Sequence, residues 1–288
     1  MRCLIVYFSV THSTERIANA IAQGFKEKQI EADLWNILDK PPLDLQGYDI
    51  LGFGTPVYGF RVPVLFEEAI MKLPALNAKR VFAFMLRGSY LFDAPVFLQK
   101  ALAEKGAEVS GWFFSMGAGY FMGYVHRGCM TSPTRPNDDD LARARLFGMD
   151  MAENKNLDQW KIEIKRPPLV YRLEQFSFSS SYIKKNYRKV HKFLRSKCIR
   201  CGKCIESCPA KSIVADLEGF PSINDTCITC RYCQLVCPTG AMSVNESAID
   251  RLVLDYNVRK VLADPNIDKA AVEVKNGKIV GANNATMM

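Results

Sequence analysis

The cysteines of this chain are concentrated in one short segment, where the same spacing occurs twice. The first set is Cys198-x2-Cys201-x2-Cys204-x3-Cys208 followed by Pro209, and the second is Cys227-x2-Cys230-x2-Cys233-x3-Cys237 followed by Pro238. Cys227 lies 29 residues after Cys198, and the other positions keep the same displacement. Closely spaced thiolates followed by a proline are the ligand pattern of iron–sulfur clusters. A structural zinc site closes with four ligands and explains neither the third cysteine nor the proline.

The double motif resembles that of bacterial two-cluster ferredoxins. In this pattern three closely spaced thiolates hold one [4Fe–4S] cluster, and the fourth cysteine of the set ligates the other cluster. We therefore expect one cluster on Cys198, Cys201, Cys204 and Cys237, and a second on Cys227, Cys230, Cys233 and Cys208. Two clusters make electron transfer the central functional expectation.

Cysteine usage and the absence of long apolar runs favour a reducing compartment. Eight of the ten cysteines lie in the double motif. Of the other two, Cys3 is expected in the core and Cys129 in a loop. Neither a signal peptide nor a membrane span is recognisable, so we expect a cytoplasmic protein. The formal net charge of +8 is offset by the clusters, since each thiolate-bound cubane carries a charge of about −2.

The first half of the chain alternates short apolar runs with amphipathic segments. This alternation is typical of a parallel sheet covered by helices on both faces. The predicted fold class is α/β, a doubly wound five-stranded parallel sheet followed by a small α+β domain. Strands are expected at Cys3–Phe8, Ala32–Asn36, Tyr48–Phe53, Arg80–Leu86 and Glu108–Phe114. Helices are expected at Glu15–Lys28, Pro63–Leu73, Asp93–Lys105 and Asp138–Asn156.

The loop after the first predicted strand is rich in hydroxyl groups. It reads Ser9-Val10-Thr11-His12-Ser13-Thr14 and leads directly into a helix. Ligand sites of doubly wound sheets lie at the carboxyl ends of the strands. Hydroxyl and free N–H groups at a helix N-terminus bind anions, so the loop predicts a phosphate site. The glycine patterns of dinucleotide and triphosphate loops do not occur at this turn. A plain Ser/Thr helix cap remains the alternative.

This loop resembles the FMN-phosphate loop of flavodoxins, and Gly52–Gly59 resembles the flavodoxin loop beside the flavin ring. The resemblance implies that Ser9, Thr11, Ser13 and Thr14 hold the phosphate of FMN. It implies that the ring is flanked by Thr55, Pro56, Val57, Tyr58 and Gly59, with Tyr58 as a candidate for stacking. A weaker match places Arg87, Gly88 and Ser89 at the same site.

His12 stands where flavodoxins commonly have glycine. Two interpretations are open. The histidine either tolerates a positive φ at this position or contacts the phosphate through its imidazole. The other two histidines, His126 and His191, are expected to be solvated or helix-capping side chains.

The order of the two halves is similar to that of the flavodoxin–ferredoxin fusion proteins of anaerobes, called ferrodoxins. The resemblance covers about residues 1–245 and implies FMN and two [4Fe–4S] clusters. We divide the chain into a flavodoxin-like domain (1–156), a linker with a basic helix (157–190), a ferredoxin domain (191–247) and an extension without an assigned role (248–288).

The predicted basic helix spans Tyr182–Lys197. Its apolar face carries Ile183, Tyr187, Val190 and Leu194, and its other face carries Lys184, Lys185, Arg188, Lys189, Lys192 and Arg195. Three interpretations are open: a solvated face that offsets the cluster charge, a docking surface for an acidic redox partner, and a contact with nucleic acid or an anionic membrane.

Two further segments have no predicted chemistry of their own. Residues 115–137 form an unusually long loop, expected to cap the flavin, to line the face where the ferredoxin block docks, or to pack between domains. After Val244, one helix is expected with Ile249, Leu252, Val253 and Tyr256 on its apolar face, and Val272–Val280 is expected to form a hairpin with an Asn-Gly turn.

We expect a protein that passes electrons between FMN and two [4Fe–4S] clusters, with a ferredoxin or a reductase as redox partner. One alternative is a flavin-dependent reductase of a quinone-like or other conjugated acceptor, fed through the clusters. A second alternative is a redox-sensing binding protein. No acid–base or nucleophilic group is assigned a catalytic role.

Overall fold

The computed structural model of the chain describes residues 1–39, 45–77, 79–275 and 278–281. The chain forms two compact units. The first comprises Met1–Ala118 and Thr134–Pro167, and the second comprises Gly119–Pro133 and Pro168–Met288. The predicted linker 157–190 is therefore not one segment, because it divides between the units after Pro167.

The first unit is built on a five-stranded parallel sheet with the order β2-β1-β3-β4-β5. The strands are β1 (Arg2–Tyr7), β2 (Glu31–Asn36), β3 (Ile50–Pro56), β4 (Arg80–Arg87) and β5 (Val109–Met116). The helices of this unit are α1 (Ser13–Glu27), α2 (Val64–Met71), α3 (Ala94–Ala103) and α5 (Asp138–Glu153). Each predicted strand and helix is confirmed with its ends shifted by at most three residues. The doubly wound fold class is confirmed as well.

Glycines allow α1 and α5 to pack closely. A Cβ on Gly24 would lie 2.1 Å from the backbone oxygen of Arg145, and one on Gly148 would lie 2.2 Å from that of Ile21. Trp160, the last residue of a 3-10 helix at Leu157–Trp160, packs in the hydrophobic core formed by α1, α5 and the sheet. Its indole N–H donates a hydrogen bond to Asp150 over 2.9 Å. The start of the predicted linker is thus part of the core of the first unit.

The second unit combines short strand pairs with helices. Its strands are β6 (Cys129–Thr131), β7 (His191–Phe193), β8 (Ile213–Ala215), β9 (Pro221–Ile223), β10 (Met242–Val244), β11 (Lys269–Lys275) and β12 (Lys278–Gly281). Its helices are α4 (Met122–Val125), α6 (Leu169–Ser177), α7 (Ser180–Val190), α8 (Lys203–Glu206), α9 (Tyr232–Leu235) and α10 (Ala248–Ala263). Strand β7 pairs with β10, β8 pairs with β9, and β11 lies between β12 and β6. Among the helices of the described residues, none combines the length with the apolar character that a membrane span requires.

The prediction of a long structureless loop at residues 115–137 is wrong. The segment contains α4 and β6, and β6 pairs with β11 through Lys269↔Thr131. Cys129, predicted in a loop, is a buried residue of this strand. Residues 119–133 belong to the second unit because this strand pairing ties them to the C-terminal hairpin.

The predicted helix at Tyr182–Lys197 ends too late. Helix α7 stops at Val190, because the chain then extends into β7 and pairs with β10. Ile183 is buried as expected, whereas Leu194 lies beyond the helix. The structure does not describe five of the side chains assigned to the two faces, so those assignments stay predictions: Lys184, Tyr187, Arg188, Lys189 and Val190.

Helix α10 is present, but its buried face was predicted wrongly. Ile249 and Leu252 are 72% and 68% exposed, and the buried residues are Leu254, Asn257, Val258 and Val261. Asn257 explains the difference, since its amide donates to the buried carboxylate of Glu174 on α6. The hairpin prediction is confirmed by the pairing Lys275↔Lys278, while its turn, Asn276-Gly277, lies outside the described residues.

Candidate cofactor sites

The first cysteine set surrounds a cavity in the second unit. Cys198, Cys201 and Cys204 line this cavity together with Cys237, the last cysteine of the second set. The pKa of the Cys204 thiol is raised to about 11, first by burial and then by its neighbours Cys237, Cys201 and Cys198. The structure thus brings together the four cysteines that the sequence assigned to one cluster.

The second set gathers in the same crossed manner. Burial raises the pKa of the Cys233 thiol, and the thiols that add most to this effect are, in decreasing order, Cys230, Cys227, Cys208 and Cys204. The Ser212 hydroxyl lies 3.2 Å from Cys208 Sγ. The same hydroxyl also bonds Cys227, where it partly offsets the rise in pKa caused by burial. Cys208 of the first set therefore lies beside the cysteines of the second.

The backbone repeats along with the sequence. The N–H of Arg200 donates to Cys198 Sγ over 3.4 Å, and 29 residues later the N–H of Thr229 donates to Cys227 Sγ over 3.4 Å. Both donors have positive φ, 54° and 53°. Gly202 and Arg231 form another equivalent pair, at 74° and 59°. The two loops thus hold their sulfurs with one common conformation.

The thiols surround a cavity instead of meeting at a point. Within the described parts of the chain, no three side chains of His, Cys, Asp or Glu come close enough to hold a single metal ion. Four sulfurs spaced around a cavity, with backbone N–H groups directed at them, fit an iron–sulfur cluster.

The hydroxyl loop of the first unit precedes α1. Ser9 is buried, and its Oγ accepts a hydrogen bond from the N–H of Glu15 over 3.3 Å. Within the described residues, neither the hydroxyls of Thr11 and Ser13 nor the backbone N–H of Ser13 has a hydrogen-bond partner. Free donors at a helix N-terminus favour an anion. The loop therefore fits the phosphate of FMN, with Ser9 bracing the helix and Thr11 and Ser13 left to bind.

His12 adopts the left-handed conformation, with φ 61° and ψ −5°. This is the backbone region in which glycine is least strained, so the position requires a positive φ and the histidine tolerates it. The ring is exposed, and its Nδ1 lies 2.6 Å from Glu15 Oε2. The imidazole is thus paired with a carboxylate beside the phosphate loop.

The loop after β3 turns tightly beside the end of β4. Tyr58 and Arg61 exchange two backbone hydrogen bonds of 3.0 Å around Gly59 and Phe60, both of which have positive φ. Thr55 is fully buried, and Val57 N donates to Leu86 O over 2.8 Å. These contacts bring residues 55–61 and the β4 loop to one edge of the sheet.

An aromatic cluster lies at this edge. The Phe60 and Phe92 rings meet edge to face with centroids 5.1 Å apart, and Tyr90 stacks on Phe92 at 5.0 Å. Tyr58, the predicted stacking ring, meets Phe8 edge to face at 6.1 Å. Aromatic rings at the carboxyl edge of the sheet suit a flat, conjugated ligand.

Positive charge gathers at the end of β4. Arg87 is half-buried and donates through Nε to the backbone oxygen of Ser89 over 3.1 Å. Burial lowers the pKa of Arg87, and the positive charges of Arg135 and Arg143 lower it further. Arg135 is paired with Asp140. Arg87 and Arg143 are thus cations that would favour an anionic ligand at the end of β4.

Sequence reasoning missed several of these residues. Phe60 and Phe92 lie just outside the predicted loops, and Arg135 and Arg143 are distant in sequence. His191, expected to be solvated or to cap a helix, instead lies 3.5 Å from Cys227 Sγ. His191 lies seven residues before Cys198, and Phe220 lies seven residues before Cys227. This equivalence could have placed His191 near a cysteine set from the sequence. His126 does end α4 and is exposed, as expected.

Each half of the chain is similar to a different group of known proteins. The Flavodoxin family profile matches residues 5–137, and the 4Fe-4S dicluster domain profile matches residues 197–242. The uncharacterized protein MJ0298 of Methanocaldococcus jannaschii is 30% identical over 158 residues, which are 54% of this chain and 100% of that protein. A flavodoxin of Maridesulfovibrio salexigens is 33% identical over 119 residues, 38% of this chain and 82% of that protein.

The cysteine-rich half is similar to part of a different protein. The B subunit of the anaerobic dimethyl sulfoxide reductase of Escherichia coli is 36% identical over 58 residues, 19% of this chain and 28% of that protein. The flavodoxin domain implies FMN, and the dicluster domain implies iron–sulfur clusters. The chain therefore belongs to the flavodoxin family through its first unit and carries a 4Fe-4S dicluster domain in its second, as a flavodoxin–ferredoxin fusion with an electron-transfer role.

Proposed function

We propose that this protein passes electrons between FMN bound by the first unit and two [4Fe–4S] clusters bound by the second. The observation that carries the proposal is the crossed arrangement of the cysteines, in which Cys237 joins the first set and Cys208 joins the second. Crossed ligation of this kind belongs to two-cluster ferredoxins and has no purpose in a zinc site.

The combination of cofactors defines the chemistry. FMN exchanges one or two electrons and each cluster exchanges one, so the pair connects hydride-level with single-electron reactions. In this proposal the hydroxyls of Thr11 and Ser13 hold the FMN phosphate. Residues 55–59 and 87–89 flank the ring, and the guanidinium of Arg87 favours negative charge at that edge.

The partner in this proposal is a redox protein with an acidic docking surface. No Asp or Glu occurs between Gln175 and Ile205, and Lys185, Lys192 and Lys197 are exposed within this segment. Such a surface accelerates encounter with an acidic partner and makes the rate sensitive to salt. We place the protein in the cytoplasm, since eight cysteines serve as cluster ligands only under reducing conditions.

Cofactor analysis of anaerobically purified protein tests the proposal. Two cubanes and one flavin site predict about eight iron atoms and one FMN per chain. An iron content near four, or zinc in place of iron, would contradict the assignment of two clusters. Riboflavin or no flavin in place of FMN would contradict the assignment of the first unit.

The electron donor is identified by anaerobic stopped-flow mixing with reduced ferredoxin, NADH and NADPH in turn. Electron transfer between proteins predicts rapid reduction by the ferredoxin and a rate that falls with ionic strength. Fast reduction of the flavin by NADH or NADPH would instead support the reductase alternative.

A further inference from the structure

The 29-residue displacement allows the surroundings of the two cysteine quartets to be compared position by position. The backbone matches closely, because equivalent residues share the left-handed conformation. Lys211 and Gly240 form one such pair, with φ 51° and 64°, in addition to Arg200 with Thr229 and Gly202 with Arg231. Differences between the two sites therefore reside in the side chains.

Two equivalent positions differ in their capacity to donate a hydrogen bond. The residue seven positions before the first cysteine of each set is His191 in one case and Phe220 in the other. The residue four positions after the fourth cysteine is Ser212 in one case and Ala241 in the other. Both polar members, His191 and Ser212, contact the quartet that contains Cys227.

The contacts of Gln234 favour one tautomer of His191. Gln234 Nε2 donates to the backbone oxygen of Ser243 over 3.1 Å, which identifies that atom as the NH2 group. The same Nε2 lies 3.3 Å from His191 Nδ1, which favours Nδ1 as the acceptor. The ring proton of the neutral imidazole is then on Nε2, which lies 3.5 Å from Cys227 Sγ. In this tautomer His191 donates to the sulfur of Cys227, and the pairing of β7 with β10 holds it there. Nδ1 also lies 3.9 Å from Cys233 Sγ, a sulfur of the same quartet, so either tautomer places an N–H beside this quartet.

The counterpart of His191 cannot make this bond. Phe220 is buried, and its ring lies under the guanidinium groups of Arg195 and Arg200, at 4.1 and 4.6 Å from the centroid. Its neighbours Gly219 and Pro221 line the cavity of the first quartet. The hydroxyl of Thr239, 3.7 Å from Cys237 Sγ, is the side-chain donor found at that quartet among the described residues.

We propose that His191, oriented by Gln234, raises the reduction potential of the cluster held by Cys227, Cys230, Cys233 and Cys208. Reduction adds negative charge to the cluster and its thiolates, and a hydrogen bond to a ligand sulfur stabilises that charge. Ser212 acts in the same direction at the same cluster. The inference rests on the proposed presence of two [4Fe–4S] clusters.

Redox titration of the anaerobic holoprotein, followed by EPR of each reduced cluster, tests the proposal. His191→Phe introduces the residue of the equivalent position and removes the donor. One hydrogen bond corresponds to roughly a tenfold change in the equilibrium for reduction. For a one-electron couple this is a fall of about 59 mV. We expect that fall in one couple, with the other couple unchanged.

Further variants assign the couples independently. Ser212→Ala should lower the same couple as His191→Phe, and Thr239→Val should lower the other couple. His126→Phe, a change at an exposed histidine of the same unit, should move neither. His191→Gln keeps an N–H donor and should stay closer to wild type than His191→Leu.

The results separate this inference from the function on which it rests. A wild-type protein without two [4Fe–4S] couples would refute the proposed function. If the wild-type protein shows two couples and His191→Phe changes the potential of neither, the role of His191 is refuted while the proposed function stands. The same conclusion follows if His191→Phe shifts the couple that Thr239→Val lowers. If His191→Phe loses iron, the potentials of His191→Gln and His191→Leu are compared instead. Equal potentials in these two variants would overturn the proposal.

Discussion

Removal of two hydroxyls from the loop before α1 gives a direct test of the phosphate site. Thr11 and Ser13 are half-buried, and their hydroxyls have no partner within the described residues, so they are free to donate to a phosphate. Ser9 differs from them because its Oγ already accepts from the N–H of Glu15. The double variant Thr11→Ala, Ser13→Ala should therefore affect FMN binding without removing the brace of the helix.

The size of the effect follows from the charge of the ligand. A hydrogen bond to a charged group contributes about 1.5–3 kcal/mol. Both hydroxyls are partly accessible to water, which favours the lower end of this range, or about 3 kcal/mol for the pair. Since about 1.4 kcal/mol corresponds to a factor of ten, FMN affinity should fall by about two orders of magnitude.

Fluorescence titration of the flavin-free protein measures this loss, and riboflavin supplies the control. Riboflavin lacks the phosphate, so its affinity should be the same for wild type and double variant. The iron content should also stay unchanged, because the cysteines belong to the second unit. Equal FMN affinity in the two proteins would refute the phosphate assignment. An equal loss of riboflavin affinity would show that the loop acts on the ring and not on the phosphate.

Three further outcomes follow from the structure. Crossed ligation predicts that Cys237→Ser and Cys201→Ser lose the same EPR signal while Cys208→Ser loses the other; loss of the same signal by Cys208→Ser and Cys201→Ser would contradict it. Gly148→Ala should lower the urea-unfolding free energy of the first unit by about 1–3 kcal/mol, because its Cβ would lie 2.2 Å from a backbone oxygen of α1. Burial raises the pKa of Glu174 to about 7, so the stability provided by its protonated form is lost as pH rises from about 4.5 through 7. Glu174→Gln should flatten this pH dependence of the unfolding free energy, and an unchanged slope would contradict it.

Most of the first unit could be predicted from the sequence because its signals are local. The central strands β1, β3 and β4 are apolar runs buried on both faces, and the helices repeat apolar residues at helical spacing. The cysteine quartets were predictable for a different reason. Their spacing is typical of cluster ligands, and the crossed partners Cys208 and Cys237 are what the resemblance to bacterial two-cluster ferredoxins implies.

The errors lie where a distant partner decides the conformation. Helix α7 ends at Val190 because His191 begins a strand that pairs with β10, about fifty residues further along. The buried face of α10 includes Asn257, a polar residue that periodicity assigns to solvent but that bonds the buried Glu174. The pairing of β6 with β11 likewise joins segments far apart in sequence. Single-sequence patterns do not encode these pairings.

The most direct test of the central claim is a measurement of electron transfer within one chain. In the anaerobic holoprotein, a light pulse reduces the flavin while both clusters are oxidised, and the reduction of the clusters is then followed by absorbance and by EPR of rapidly frozen samples. The account predicts that the clusters become reduced at a rate independent of protein concentration. It also predicts that Cys201→Ser combined with Cys208→Ser abolishes this phase. Clusters that stay oxidised, or that are reduced at a rate proportional to protein concentration, would contradict electron transfer between FMN and the clusters of the same chain.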